Sequence, residues 1–243
     1  LNKLQQAHFE TLKNKTTFYF VRHGQSAGNK DGKIQGRQDS PLTNAGREQA
    51  RKTGRWLASR SIDRIYTSPL SRSRETAEIF STEGKNLPVQ PLDELLELDT
   101  GIFSGMSFKE IAVRHPEIYR SFQTRSWEVV PRAENAASIC RRVLNCWQLL
   151  IEDANRGCRN ILCVSHGGTI QWFLKTSFPM SGCEWMPLFT AGNCSVFQLT
   201  VEPAEAADSA EPEGSDRPDA ALQRIAGSGS SFYAIWERIN YIP

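Results

Sequence analysis

Two β-forming apolar runs in this chain end in the same way. Thr17 to Val21 leads into Arg22-His23-Gly24 and a polar, glycine-spaced loop; Asn160 to Ser165 leads into His166-Gly167-Gly168-Thr169 and an amphipathic segment, Ile170 to Lys175. An apolar run that stops at a polar loop and gives way to a helical pattern reads as a strand feeding a crossover helix in an α/β sheet. In open α/β sheets ligands bind in the crevice beyond the carboxyl ends of the strands, where loops aim side chains and backbone N–H groups at a shared point. The fold has to account for two strands that each deliver a histidine at that end.

The rest of the chain continues the alternation. A glycine- and proline-punctuated connection, Ile34 to Thr43, precedes a helical pattern over Asn44 to Ser59, with Thr43 as N-cap and Ala50, Trp56 and Leu57 towards one side. Ser61 to Ser68 reads as a strand, Pro69 to Thr82 as a helix stopped near Gly84, and Val89 to Leu92 as a short strand. Ser107 to Arg114 reads as a short helix that ends before Pro116, and Glu134 to Asn155 as a long one with Gly157 beyond its end. Val196 to Val201 and Phe232 to Ile239 read as neighbouring antiparallel strands, and residues 1–16 as a weakly helical lead-in.

A chain of 243 residues with 39% apolar content can bury one full core, so a single domain over residues 1–243 is expected. Leu1 to Lys15 lacks the apolar centre of a signal peptide and no later stretch has the length of a membrane span; the chain is expected to be soluble and cytoplasmic. A net charge of +2 without a Lys/Arg run argues against a nucleic-acid partner. Glu202 to Ser231 differs from its surroundings, with seven acids against Arg217 and Arg224, and is expected to be a disordered acidic insertion in a hairpin. Elsewhere 27 basic residues face 20 acidic ones, a balance suited to a small anion. The six cysteines form no Cys-x-x-Cys pair and lie at no zinc-finger spacing, so buried thiols are expected rather than a disulfide frame, and no metal or cofactor.

Arg22 beside His23, with Arg72 and His166 arriving from other strand ends, suits a phosphoryl group: guanidinium forks hold a dianion bidentately and an imidazole attacks it or donates to it. Arg72 and Arg74 fall in the first turn of a helix, the wrong end for a cation unless an anion shares the site. A neutral imidazole is a nucleophile when a backbone carbonyl holds one ring nitrogen and the other faces phosphorus. The loop Asp93 to Gly101 carries four carboxylates, one of which becomes functional if the fold brings it to the histidines; His8 and His115 read as surface residues.

At these residues the sequence resembles the histidine phosphatase superfamily, which includes cofactor-dependent phosphoglycerate mutases, fructose-2,6-bisphosphatases and broad acid-tolerant phosphatases. Five segments in the family's order carry the resemblance, from about Phe18 to about Ser195: Arg22-His23-Gly24-Gln25-Ser26 with Asn29; Gln35-Gly36 and Asp39 to Thr43; Ser68 to Ala77; Leu95-Leu96-Glu97 with Gly101 and Gly105; and Val164 to Gly168. The resemblance implies a three-layer α/β/α sandwich with a mostly parallel central sheet and a small phosphorylated substrate, or a phosphoprotein. It implies that His23 is phosphorylated in a covalent intermediate, that Arg22, Arg72, His166 and Asn29 hold the phosphoryl oxygens, and that Glu97 serves as acid and then base. Gln35 and Gly36 fall where mutases touch substrate. Simpler readings stand beside these: Asn29 closing a turn, Gln35 facing solvent, and Glu94 or Asp99 in place of Glu97.

Two departures from the family pattern, Ala133-Glu134-Asn135 for Gly-Glu-Ser and Phe103-Ser104-Gly105 for Trp-Glu-Gly, leave the substrate unassigned. The expected activity is phosphomonoester hydrolysis, with a phosphoglycerate mutase and a non-catalytic binding protein as alternatives. The interval Leu98 to Pro131 is short and has no Arg-Arg pair, and Thr100 stands where mutases use a tyrosine, which favours hydrolysis.

Overall fold

A computed structural model describes residues 6–178, 190–203 and 232–243. Strand β1 (Thr16–Arg22) is apolar on both sides: Phe18 and Phe20 are buried in one core, Tyr19 and Val21 in another. A strand with no polar face belongs inside a sheet covered by helices on both sides. β1 pairs in parallel with β4 (Asn160–Ser165), β4 with β2 (Arg64–Thr67), and β2 with β3 (Val89–Pro91). Its other edge pairs antiparallel with β5 (Val196–Pro203), which pairs antiparallel with β6 (Phe232–Tyr241). The sheet order is β3-β2-β4-β1-β5-β6, mostly parallel as expected.

Helices α2 (Asn44–Ala58) and α3 (Ser71–Glu83) cover the face of Tyr19, Val21, Leu162 and Val164. Helices α6 (Ala136–Asn155) and α7 (Gly167–Ser177) cover the face of Phe18, Phe20, Ile161 and Cys163, completing the α/β/α sandwich. Trp147 of α6 anchors that side, its ring edge-on to Phe9, Phe18, Phe20 and Phe173 at centroid distances of 5.0–5.3 Å. Edge-to-face rings add to an apolar burial that contributes about 1.5–3 kcal/mol for a side chain of this class. Phe9 lies in a short turn of 3-10 helix, Phe9–Thr11, so the lead-in supplies a core residue that its composition did not disclose.

A third apolar cluster, Phe103, Ile111 and Val130 with Ile34, joins α4 (Phe108–Arg114) and α5 (Pro116–Arg125) into a cap. The cap is tied to the loop after α1 (Ala27–Lys30) by Ile34 N–H to the Met106 carbonyl at 2.9 Å and Gly105 N–H to the Ile34 carbonyl at 2.7 Å. Pro116, read as a stop, is also the first residue of α5; proline at that position loses no helical bond and is pre-set in φ.

Several boundaries move. β2 starts at Arg64 because Ser61 takes a φ of 48°, off the extended path. β5 runs on to Pro203: Glu202 pairs with Tyr233 and its carboxylate meets Lys15 at 3.1 Å. The first two residues of the expected acidic insertion therefore belong to the sheet; the rest, 204–231, and Cys183 lie outside the described residues. The five described cysteines are free, and all but Cys158 are buried. Among the described residues no helix is long and apolar enough to cross a membrane.

Candidate active site

Strand register brings the two histidines together. The last β1–β4 pair is Arg22 opposite Ser165, and His23 N–H donates to the Ser165 carbonyl at 3.0 Å. His23 and His166, the next residue of each chain segment, therefore lie side by side, ring centroids 5.1 Å apart, and both are buried.

His23 Nδ1 lies 2.7 Å from the Gly24 carbonyl oxygen. A carbonyl only accepts, so Nδ1 carries the hydrogen and Nε2 is left with the lone pair. Burial first, and then the charges of Arg22 and Arg72, hold His23 well below the ordinary imidazole pKa. His166 is held below it for the same reasons, burial first, then Arg72 and His23. Its Nε2 lies 2.8 Å from Ser68 Oγ and 3.2 Å from Ser73 Oγ.

The arginines are fixed by backbone carbonyls. Arg22 Nη1 donates to Ala191 at 2.5 Å; Arg72 Nη1 and Nη2 donate to Gln38 and Gly36 at 2.8 Å each. Burial lowers the pKa of both guanidiniums, and the Glu97 carboxylate acts against that lowering. Among the described residues, the buried side-chain nitrogens and oxygens without a hydrogen-bond partner are Arg22 Nε, Arg72 Nε and His166 Nδ1. Buried polar groups are nearly always paired, and all three of these belong to the residues around His23.

Of the acidic loop's carboxylates, Glu97 is the one that reaches this cluster. Its Oε1 accepts from Leu98 N–H at 2.9 Å and Thr169 N–H at 3.2 Å, and its Oε2 from Gly168 N–H at 3.3 Å, at the N-terminus of α7. Asp99 is spent on its own turn, accepting from Gly101 N–H. A Cβ at position 168 would lie 2.7 Å from Glu97 Oε1, so any larger residue there would push the carboxylate from its place.

Asn29 does close a turn. Its Oδ1 accepts from Ser26 N–H and Ser26 Oγ in the capping box of α1, and from Asn193 Nδ2 at 3.1 Å. Gln35 is half-buried and accepts from Ser26 Oγ at 2.9 Å. Gly36 has a φ of 54°, and a Cβ there would lie 2.3 Å from Thr100 Oγ1. Arg74 turns outward to Glu78, His8 is exposed beside Glu10, and His115 sits half-buried between α4 and α5. Sequence reasoning did not single out Asn193, whose Nδ2 also donates to the His23 carbonyl at 3.1 Å, because it follows the segment 179–189 in no recognisable local pattern. Nor did it give roles to Ser68 and Ser73, although both lie inside a segment it had marked. Among the described residues no group of three or more His, Cys, Asp or Glu side chains is placed to hold a metal ion.

Two buried neutral histidines make stability depend on pH. The unfolded chain binds protons near pH 6.5 that the folded site refuses, so their contribution is complete above about 6.5 and is lost as pH falls towards the lowered folded values. The expected slope is about 1.4 kcal/mol per pH unit for each histidine in that window. Urea midpoints in phosphate-free buffer should fall between pH 7 and pH 5.5; a flat profile would show that the site accepts the protons.

Residues 18–208 match the model of the histidine phosphatase superfamily, branch 1. The chain is 31% identical over 216 residues to a 2-carboxy-D-arabinitol-1-phosphatase of Triticum aestivum, a match that spans 87% of this chain and 40% of that enzyme. Three curated relatives are spanned over 39–56% of their own length. Among solved structures, a putative alpha-ribazole-5'-P phosphatase from Escherichia coli superposes with a TM-score of 0.66 at 27% identity, covering 76% of this chain and 90% of that one. A phosphoglycerate mutase from Bacillus anthracis superposes with a TM-score of 0.63 at 26% identity, covering 79% and 90%. With the family's five segments gathered around one pair of histidines, and a family match over most of its length, the chain belongs to the histidine phosphatase superfamily.

Proposed function

We propose that this chain hydrolyses phosphomonoesters through a phosphohistidine on His23. The observation that carries the reading is the trio of unpartnered buried donors, Arg22 Nε, Arg72 Nε and His166 Nδ1, around an imidazole whose Nδ1 is already committed. Each unmet buried donor costs about 1–3 kcal/mol, and a phosphoryl group offers three non-bridging oxygens to meet them.

His23 Nε2 attacks phosphorus as the bond to the leaving oxygen breaks, and Glu97 gives that oxygen its proton. Water then attacks the phosphohistidine, the P–N bond breaks, Glu97 takes the water's proton, and orthophosphate leaves. With the His166 ring hydrogen on Nδ1 for a phosphoryl oxygen, Nε2 accepts from the hydroxyl of Ser68 or Ser73, either of which can donate. Asn29 has its oxygen occupied, so it contributes through its Nδ2 amide. Gln35 and Gly36 act at one remove, bracing Ser26 and Arg72. The substrate is a small phosphorylated molecule, and the free buried thiols suit the cytoplasm.

The mutase alternative needs further cations beside the substrate and protection of the phosphohistidine from water. The interval after Glu97 instead folds on its own apolar cluster, and Thr100 is occupied with Ser104 at 2.7 Å. The test supplies 3-phosphoglycerate with a catalytic amount of 2,3-bisphosphoglycerate and follows 2-phosphoglycerate and inorganic phosphate together. Phosphate release is expected to dominate; interconversion much faster than release overturns hydrolysis as the main activity.

A further inference from the structure

Glu97 sits on a loop, and a side chain that hands over a proton has to be held to within a fraction of an ångström. Its carboxylate rests on α7, which also holds the Leu96 carbonyl through Thr169 Oγ1 at 2.6 Å, while Ser165 Oγ holds the Leu95 carbonyl at 2.8 Å; the loop's backbone is also fixed from α6. Arg142 Nη1, from α6, donates to the carbonyls of Glu94 at 2.8 Å and Leu96 at 2.7 Å. The other side of the same guanidinium grips Glu134 bidentately, Nε to Oε1 at 3.0 Å and Nη2 to Oε2 at 2.8 Å. Glu134 Oε2 also accepts from Arg37 Nη2 at 3.2 Å, and Arg37 Nε donates to the Glu97 carbonyl at 3.3 Å. Glu134 N–H reaches the Asp99 carbonyl at 2.9 Å. Three carbonyls of the loop that presents Glu97 are thus bound by two guanidiniums braced on one carboxylate, whose side chain is 5% exposed.

We propose that Glu134 and Arg142 are positioning residues for Glu97, setting the reach of its carboxylate to the leaving oxygen. The inference rests on the reading of Glu97 as the acid. A buried ion pair adds little net stability over an apolar pair, so its value here lies in geometry: the planar fork spans two carbonyls and two carboxylate oxygens at once, which lysine cannot do. Neither residue hydrogen-bonds His23 or His166; the Arg142 charge adds a small part to the lowering of the His166 pKa, a part the lysine variant keeps, and the remaining influence runs through the loop.

The test compares two esters by kcat/KM, which reports the steps up to phosphohistidine formation. Glycerol 2-phosphate needs a proton on its leaving alkoxide, whereas 2,4-dinitrophenyl phosphate releases a stable phenolate without one. Arg142→Lys is expected to lose about 100-fold on the alkyl ester and less than about threefold on the dinitrophenyl ester. Glu134→Gln, which keeps the side chain's size, is expected to show the same selective loss and serves if the lysine variant does not fold. Equal losses on both esters, or no loss on either, overturn the proposal. Glu97→Gln is the reference: if it shows no preference between esters, the acid itself is misassigned and both readings fall. If it shows the preference and the Arg142 and Glu134 variants do not, only the positioning role fails.

Discussion

Replacing His23 with alanine is expected to lower phosphomonoester turnover by about 10⁴-fold or more, because the covalent route disappears with its nucleophile. The remaining arginines and His166 still bind the phosphoryl group, but nothing else in the site combines a free imidazole lone pair with in-line reach. The fold should survive, since the side chain's hydrogen bond is to its neighbour Gly24, and the β1–β4 bond from His23 N–H to Ser165 belongs to the backbone. The measurement is kcat on a small generic ester for the folded variant, paired with a rapid quench of the unmodified protein, which should place label on His23. A variant that turns over at near the unmodified rate would refute covalent catalysis at this residue.

Arg72→Lys is the second large effect, with an expected loss of about 10²–10³-fold in kcat/KM, the scale for removing a pre-aimed donor to developing charge. Arg72 is buried, spends two nitrogens on the Gly36 and Gln38 carbonyls, and has no partner at Nε. Gly36 reaches its side of that clamp only through a positive φ and the close approach to Thr100. An ammonium on a flexible stem cannot hold both carbonyls and a phosphoryl oxygen together. Affinity for vanadate, measured by its protection against thermal unfolding, should fall in step with kcat/KM; a loss under threefold in both would remove Arg72 from the clamp.

The sequence disclosed the parts of this site that sit in local pattern. His23 and His166 follow strand ends, Arg22 closes one, and Arg72 shares with Arg74 an anomalous place at a helix N-terminus; periodicity marked these positions, and the resemblance chose Arg72 over Arg74. The choice of Glu97 over Glu94 and Asp99 needed the third dimension, since only the contact with the α7 N-terminus separates them. Asn29 carries the simpler role through its Oδ1, which leaves the proposed contact with a phosphoryl oxygen to its Nδ2. Phe9, Asn193 and the Glu134–Arg142 pair were illegible for one reason: each acts across a gap in sequence that no periodicity spans. Helix α5 was missed because Pro116 ends one helix and begins another, and the same residue argues for both.

The parallel pairing of β1 with β4 also has a consequence for folding. Thr17 lies opposite Asn160 and Arg22 opposite Ser165, so pairing these strands closes a loop that holds most of the chain. Closing so long a loop is entropically unfavourable until many contacts form together, which makes this pairing a late event. Neither strand end carries the proposed phosphoryl site alone: one holds His23 and Arg22, the other His166. A partly folded chain, whether newly made or transiently opened, therefore has no weakened version of the activity to express. Because the pair lies at the centre of the sheet, local fraying elsewhere leaves the two histidines side by side, and their pairing is lost only with the central strands.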